Sequence, residues 1–303
     1  MQSDSSYHAG ELAVQRINGV QQQAARLARM IQPTIPEAAF KFLCQQTMLW
    51  IAVEEKNNKV RAFPVTGLPQ FLNPHRGEKL EVCFSVDHPV NEIWRKSLVM
   101  NKTIGCIALE FSSRRRIRIN GVIKKLSDTS MTIEVKQAYP NCPKYIRNRV
   151  LLGDFSRNNY SLHSDGTSFN DDLSAIIQRI DTAFIGSFGP NGADISHRGG
   201  VAGFIKYKDN VLIMPDYEGN NMYATLGNFK LQPNASLFMV DFESNTAIQV
   251  NGKTQLLFGS KVENCETGGT DRYWCMNIES WSRYDITSAA SWEELEYSPF
   301  NPA

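Results

Sequence analysis

Short apolar runs separated by polar punctuation dominate the chain. Between residues 183 and 258 four such runs (183–188, 201–207, 211–214 and 236–242) are rich in β-forming residues and bounded by turn residues, a pattern that predicts antiparallel strands. Asn191-Gly192 and Asp209-Asn210 supply residues that tolerate positive φ and mark hairpin turns. After the third run the polar loop 215–221 is followed by Met222, Leu226 and Phe229 at helical spacing, so a strand should end in a loop that opens a short helix, whose N-terminus offers free N–H groups to an anion. Upstream, residues 11–31 lack proline and carry Leu12, Val14, Ile17, Val20, Ala24, Leu27, Ala28 and Ile31 in a stripe interrupted at Asn18-Gly19, which predicts one or two helices packed on the β-rich body. Pro33 and Pro36 break the chain. A second short helix over 38–48 should run into a strand at 49–54, and Asn57-Asn58 turns into a strand at 61–66. Further strands are expected at 79–84, 104–111, 116–122, 131–135 and 273–278. Asn170 should cap a helix with Asp171 and Asp172 in its first turn and Leu173, Ile176, Ile177 and Ile180 on one face. The tail from Ser288, with Trp292 and Phe300, is expected to strap an outer surface.

The pattern recurs. Residues 104–111 lie over 235–242, and Asn120-Gly121 over Asn251-Gly252, both at an offset of 131, while Gly67 and Phe71 lie over Gly200 and Phe204 at an offset of 133. Two copies of one fold explain this economically. The expected organisation is a helical segment at 1–35, a first unit at 36–152, a polar linker at 153–170 and a second unit at 171–303.

Composition narrows the function. The 303 residues, 42% hydrophobic and 21% charged, describe a globular chain long enough for two domains. Thirty-two basic residues against thirty-one acidic ones leave a formal charge of +1, so no global field calls for a nucleic acid or a membrane. No stretch approaches the ~18 apolar residues of a membrane span, and the opening residues lack the apolar run of a leader, so a cytoplasmic location is expected. Cys44, Cys83, Cys106, Cys142, Cys265 and Cys275 form no CxxC pair and read as free thiols; no metal site is expected. The densest basic run is Arg114-Arg115-Arg116-Ile117-Arg118. Arg116 and Arg118 share one face of a strand and Ile117 and Ile119 the other, so these arginines either reach an anion across a junction between units or form a solvated face. No aromatic residues interleave with them, which disfavours nucleic acid.

Four motifs occur in one order: His197-Arg198-Gly199-Gly200; Pro215-Asp216-Tyr217 with Gly219-Asn220; Thr225-Leu226-Gly227-Asn228; and Asp241-Phe242 ahead of Val250-Asn251-Gly252. Together they resemble the pyridoxamine 5′-phosphate oxidase-like flavin-binding split-barrel family, in the branch whose chains carry two units. Tyr7-His8-Ala9-Gly10-Glu11 with Gln15, and Asn141-Cys142-Pro143-Lys144-Tyr145-Ile146, are similar to the opening of that branch and to the close of its first unit. The resemblance implies a mainly β fold with flanking helices, built as two tandem split β-barrels, with FMN at their junction. One chain would then build internally the pseudo-dimer that related proteins form from two chains, as a monomer or as a homodimer of such chains.

By that resemblance the second unit is the better site, because the first has Val65-Thr66-Gly67 and His88-Pro89-Val90-Asn91 at the corresponding places. The implied FMN-binding residues are His197, Arg198, Gly199, Pro215, Asp216, Tyr217, Asn220, Asn221 and Thr225, with Arg116, Arg118, Cys142 and Lys144 reaching from across the junction. Pyridoxamine oxidases place Arg and Lys where this chain has Asn220-Asn221, which throws the phosphate onto Arg198 and removes pyridoxamine phosphate as the implied substrate. An oxidoreductase passing electrons through FMN to or from an unknown small molecule is the leading expectation. The alternatives are a non-catalytic flavin- or haem-binding protein and an interaction module without cofactor. At residue level, Gly219-Asn220-Asn221 also reads as a plain turn with a helix cap, His197-Arg198 as a strand-end turn, and Pro140-Asn141-Cys142-Pro143 as a structural turn.

Overall fold

A computed structural model describes residues 6–84, 92–153, 158–259, 262–263 and 265–302; the stretch His88-Pro89-Val90-Asn91 lies outside them. The N-terminal stripe folds as α1 (Ala9–Ile17) and α2 (Gln21–Leu27), separated at Gly19, whose φ of 66° suits the break. His8 caps α1: its ring nitrogen accepts from the Gly10 N–H at 3.1 Å, and the Glu11 carboxylate accepts from the His8 N–H at 2.8 Å. Beyond Pro36 a single 3₁₀ turn and α3 (Phe40–Cys44) lead into the first sheet.

That sheet comprises β1 (Met48–Glu54), β2 (Val60–Thr66), β3 (Leu72–His75), β4 (Lys79–Cys83), β5 (Thr103–Glu110), β6 (Arg115–Leu126) and β7 (Ser130–Pro140), with α4 (Glu92–Ser97) between β4 and β5. After β8 (Arg149–Leu152), β9 (Asn159–Gly166) and α5 (Asp171–Ile177), the second sheet contains β10 (Thr182–Gly189), β11 (Gly192–Gly199), β12 (Lys206–Lys208), β13 (Val211–Pro215), β14 (Asn234–Asp241), β15 (Thr246–Phe258) and β16 (Arg272–Thr287), with α6 (Ala224–Leu231) between β13 and β14. The strand orders are β2-β1-β5-β6-β7-β4-β3 and β11-β10-β14-β15-β16-β13-β12, one topology used twice, and the fold is two tandem split β-barrels.

Two expectations needed correction. Residues 201–205 are turn, not strand, and only Lys206–Lys208 pairs with β13. Gly203 sits there at φ 78°, a conformation that suits a turn rather than a strand. The stretch expected as a linker contains β9, which pairs with the end of β16. Its polar residues are mostly exposed, as on the open edge of a sheet, and a polar edge strand looks like a loop in sequence. Asn170 caps α5 as expected, its side chain accepting from the Leu173 N–H.

Matching residues do matching work in the two barrels. The β6–β7 ladder shifts register between Asn120 and Gly121, and the β15–β16 ladder between Asn251 and Gly252. Both bulge glycines are required by close approach: a Cβ on Gly121 would stand 2.2 Å from the Glu134 carbonyl oxygen, and one on Gly252 2.1 Å from that of Asn277. A hydrophobic cluster continues from the first barrel into the second, and at its centre Trp50 of β1 stacks on Phe184 of β10 with ring centroids 3.7 Å apart. These two residues hold equivalent positions, since Trp50 pairs with Ile107 as Phe184 pairs with Phe238. Equivalent residues meeting each other is how an isologous interface is built.

Candidate functional site

On one side of this interface, β11, the loop after β13 and the start of α6 face β6 and the segment after β7. They enclose a cleft with about 900 Å³ of empty space, its mouth included, of which about 120 Å³ admits the centre of a water molecule. All nine residues named from sequence in the second unit line it: His197, Arg198, Gly199, Pro215, Asp216, Tyr217, Asn220, Asn221 and Thr225. So do Arg116, Arg118, Cys142 and Lys144 from the first unit. Arg116 and Arg118 therefore form no solvated face, and His197 and Arg198 lie within β11 rather than in a turn after it.

Arg118, only 7% exposed, donates to both carboxylate oxygens of Asp194 at 3.1 Å, to the Tyr139 hydroxyl at 3.0 Å and to Ser196 Oγ. Arg198 donates to Asp216 at 2.9 Å, and Arg272 holds the other oxygen of the same carboxylate at 3.0 Å. Arg116 differs from both. It donates to the Cys142 carbonyl and, at 3.1 Å, to His197 Nδ1, but among the described residues it forms no ion pair with a carboxylate; its Nε, like those of Arg118 and Arg198, is buried without a partner. Its pKa is driven down to about 9, first by burial and then by the like charge of Arg118, with the Cys142 thiol opposing and Arg198 adding to the fall. At neutral pH it is still a cation.

His197 is buried and held well below its ordinary pKa by that burial and by the charges of Arg116, Arg198 and Arg149, so it is neutral. A guanidinium can only donate, so Nδ1 accepts and the imidazole proton resides on Nε2, which is buried without a partner. Four guanidiniums (Arg116, Arg118, Arg198, Arg272) against two carboxylates (Asp194, Asp216) leave two uncompensated positive charges around the cleft.

The loop that closes the cleft is conformationally constrained. Asn221 and Tyr223 adopt φ of 59° and 60°, left-handed values costly for residues with a Cβ, and the Asn220 side chain accepts from the Met222 N–H at 3.1 Å. Thr225 and Ser196 hydroxyls lie 2.7 Å apart. Behind α6 stands α1: a Cβ on Gly10 would fall 2.1 Å from the Gly227 carbonyl oxygen, and Gln15 Nε2 donates to the Met222 carbonyl. The Tyr7-His8-Ala9-Gly10-Glu11 segment with Gln15 thus braces the helix whose first turn lines the cleft.

The sequence does not single out Asp194, Ser196 or Arg272, and it gives Tyr139 and Tyr145 only as parts of the motif that closes the first unit. A signal existed for the first two, because Asp194, Ser196 and Arg198 alternate along a strand whose other residues are mostly small or apolar, putting three polar groups on one face.

The opposite side of the interface is built differently. At the equivalent positions, Ala247 and Gln249 replace Arg116 and Arg118, and Phe63, Pro64 and Val65 replace Ser196, His197 and Arg198. Trp94 of α4, 1% exposed, fills this junction with its ring 5.0 to 5.6 Å from those of Phe63, Tyr160, Phe238 and Tyr284.

No family model matches the chain, and no curated protein matches it in sequence. Among solved structures it is similar to HupZ of Group A Streptococcus (12% identity, 37% of this chain and 90% of that one, TM-score 0.31). It is similar also to General Stress Protein 26 of Bacillus anthracis (13% identity, 41% and 97%, TM-score 0.30) and to a FAD-binding protein of Mesorhizobium loti (10% identity, 41% and 99%, TM-score 0.30). Among the described residues no helix is long and apolar enough to cross a membrane, and no group of three or more His, Cys, Asp or Glu residues suits a metal ion.

Proposed function

We propose that the chain is an FMN-binding flavoprotein that carries one cofactor in the junction cleft and serves as an oxidoreductase toward a small molecule. The observation that carries this reading is Arg116, an enclosed guanidinium with no carboxylate partner among the described residues, set beside Arg118, Arg198 and a neutral His197 at an open cleft. The residues present fit a phosphate monoester. Two uncompensated positive charges match a dianion, and the partnerless Arg116 Nε and His197 Nε2 are donors that such an anion would satisfy. Arg116 would be the principal phosphate ligand, with His197 and the first turn of α6 assisting; Arg198, already held by Asp216, contributes less than its sequence motif suggests. The rings of Tyr145 and Tyr217, 4.8 Å apart, offer an aromatic wall beside which a planar ring system can lie. When bound, the flavin supplies hydride or electron transfer; the protein binds, orients and shields it.

The test is the visible spectrum of the purified protein, followed by fluorescence titration with FMN, riboflavin and inorganic phosphate. Flavin bands, or saturable FMN binding with phosphate as a competitor, support the reading. A Soret band would replace flavin by haem, and a colourless protein that ignores added FMN would leave a cofactor-free interaction module.

A further inference from the structure

The wall that the first barrel contributes to the cleft, residues 141–146, is held from outside by the end of the chain. β17 (Ser291–Glu294) pairs with β8, and the ladder continues through backbone bonds between Asn148 and both Leu295 and Glu296. Arg149, 2% exposed, clamps this base between Asp181 and Glu294. Further on, Ser298 Oγ accepts from the Tyr145 N–H at 3.0 Å, and the Lys144 ammonium lies 5.3 Å from the Phe300 ring centroid.

The same two wall residues bridge the mouth of the cleft. Lys144 Nζ lies 3.3 Å from Glu218, and the Tyr145 hydroxyl donates to the Glu218 carbonyl at 2.9 Å. Tyr145 has a φ of 65°, and its carbonyl oxygen occupies the space where a Cβ on Gly199 would stand, 1.9 Å away. A tyrosine holds a left-handed conformation only where its surroundings impose it, and here the tail supplies part of that constraint. The tail is thus anchored through 291–297, where Arg114 and Arg147 also hold Glu296 and Tyr297, while its tip makes fewer contacts: Ser298 is buried at 4% exposure and Phe300 is 52% exposed.

We propose that residues 298–300 are the latch of the cleft: while docked they keep Lys144 and Tyr145 across its mouth, and their release sets the rate at which ligand enters and leaves. Local opening of this kind is drawn from the less stable parts of a structure, and a three-residue tip held by a buried Ser298 with one hydrogen bond and by one cation–π contact at an exposed Phe300 qualifies. The proposal rests on the cleft being a ligand site.

The double variant S298A/F300A in the full chain tests it. Stopped-flow fluorescence should show FMN association and release both accelerated about 5- to 30-fold, the effect of losing two modest contacts, with affinity changed less than about threefold. Unchanged rates in a variant that binds FMN overturn the latch. If wild-type protein binds no FMN, that failure belongs to the cofactor reading, and amide hydrogen exchange decides the latch separately. Exchange across 141–146 should then quicken about 5- to 30-fold in the variant; unaltered exchange overturns it.

Discussion

Replacing Arg116 with methionine keeps an unbranched, flexible side chain that is two atoms shorter, removes its charge and separates two effects that a structural arginine would join. With ligand present, the variant loses a charge-assisted contact to phosphate worth about 1.5–3 kcal/mol, so FMN affinity should fall roughly 10- to 150-fold. Riboflavin has no phosphate, so its affinity should move less than about threefold. Inorganic phosphate should compete with FMN in the wild type and lose that ability in the variant. Without ligand the sign reverses. Arg116 is enclosed, lacks a carboxylate and is repelled by Arg118 and Arg198, so its removal should stabilise the empty protein by on the order of 1 kcal/mol, a rise in Tm of about 2–4 °C in a domain of this size. Arg198→Ala should cost FMN affinity less than Arg116→Met, because Asp216 already engages that guanidinium. Fluorescence titration and thermal unfolding read all of these. Equal weakening of FMN and riboflavin, or a marked fall in the Tm of the empty variant, would show that Arg116 braces Cys142 and His197 and is no phosphate anchor.

Three other outcomes are expected. Burial raises the Glu11 carboxyl from an ordinary 4.5 to about 8, reinforced by Asp194 and opposed by the His8 N–H and Arg118. The folded state therefore keeps a proton that the unfolded chain releases; this contribution to stability is complete below about pH 4.5 and lost as pH rises through 8, at up to about 1.4 kcal/mol per pH unit. Glu11→Gln should flatten urea-unfolding stability between pH 5 and 8, and an unchanged slope would refute the assignment. Trp94→Ala should cost about 3–5 kcal/mol in urea unfolding, whereas Trp94→Phe should be far milder because the indole N–H has no partner to lose; equal losses would mean the N–H matters. Calorimetric titration should give one FMN per chain, and two would show that the junction filled by Trp94 also accepts ligand.

Much of the architecture was legible in the sequence because period-2 apolar runs and Asn/Gly hairpins are local signals. Asn191-Gly192 and Asp209-Asn210 turn their hairpins as read, and the paired Asn-Gly of the two units proved to be the same bulge. The polar edge strand β9 was hidden because both its faces are largely open to solvent, and residues 201–205 misled because apolar residues can line a turn that packs on a barrel. At the site, the residues that converge on the cleft carried motifs, but their division of labour did not. Whether Arg198 or Arg116 lacks a carboxylate partner among the described residues depends on where Asp216 and Asp194 point, and those contacts span 18 residues within one barrel and 76 between the two.

That pairing gives a reason why one junction kept a cleft and the other closed. In a symmetric dimer each polar residue appears at both sites, so a buried cation at one site brings an equal cost at the other. Duplication within one chain removes the constraint. Here the polar set stands on β11 and β6, while the equivalent stretches of β2 and β15 supply Phe63, which stacks on Trp94, together with Pro64, Val65 and Ala247; Phe63, Val65 and Ala247 share one hydrophobic cluster with Trp94 and Phe238. The polar pair that spans each junction is retained with its chemistry exchanged: Arg118 reaches Asp194 on one side, and on the other Arg61, at the position of Asp194, reaches Gln249, at the position of Arg118. The cleft side carries partnerless charged and imidazole donors and left-handed residues that weaken it when empty, while the aromatic side, whose Trp94 N–H is also partnerless, offsets that weakness with burial. The proposed ligand cleft and the apolar packing thereby lie on opposite faces of one pseudo-symmetric interface.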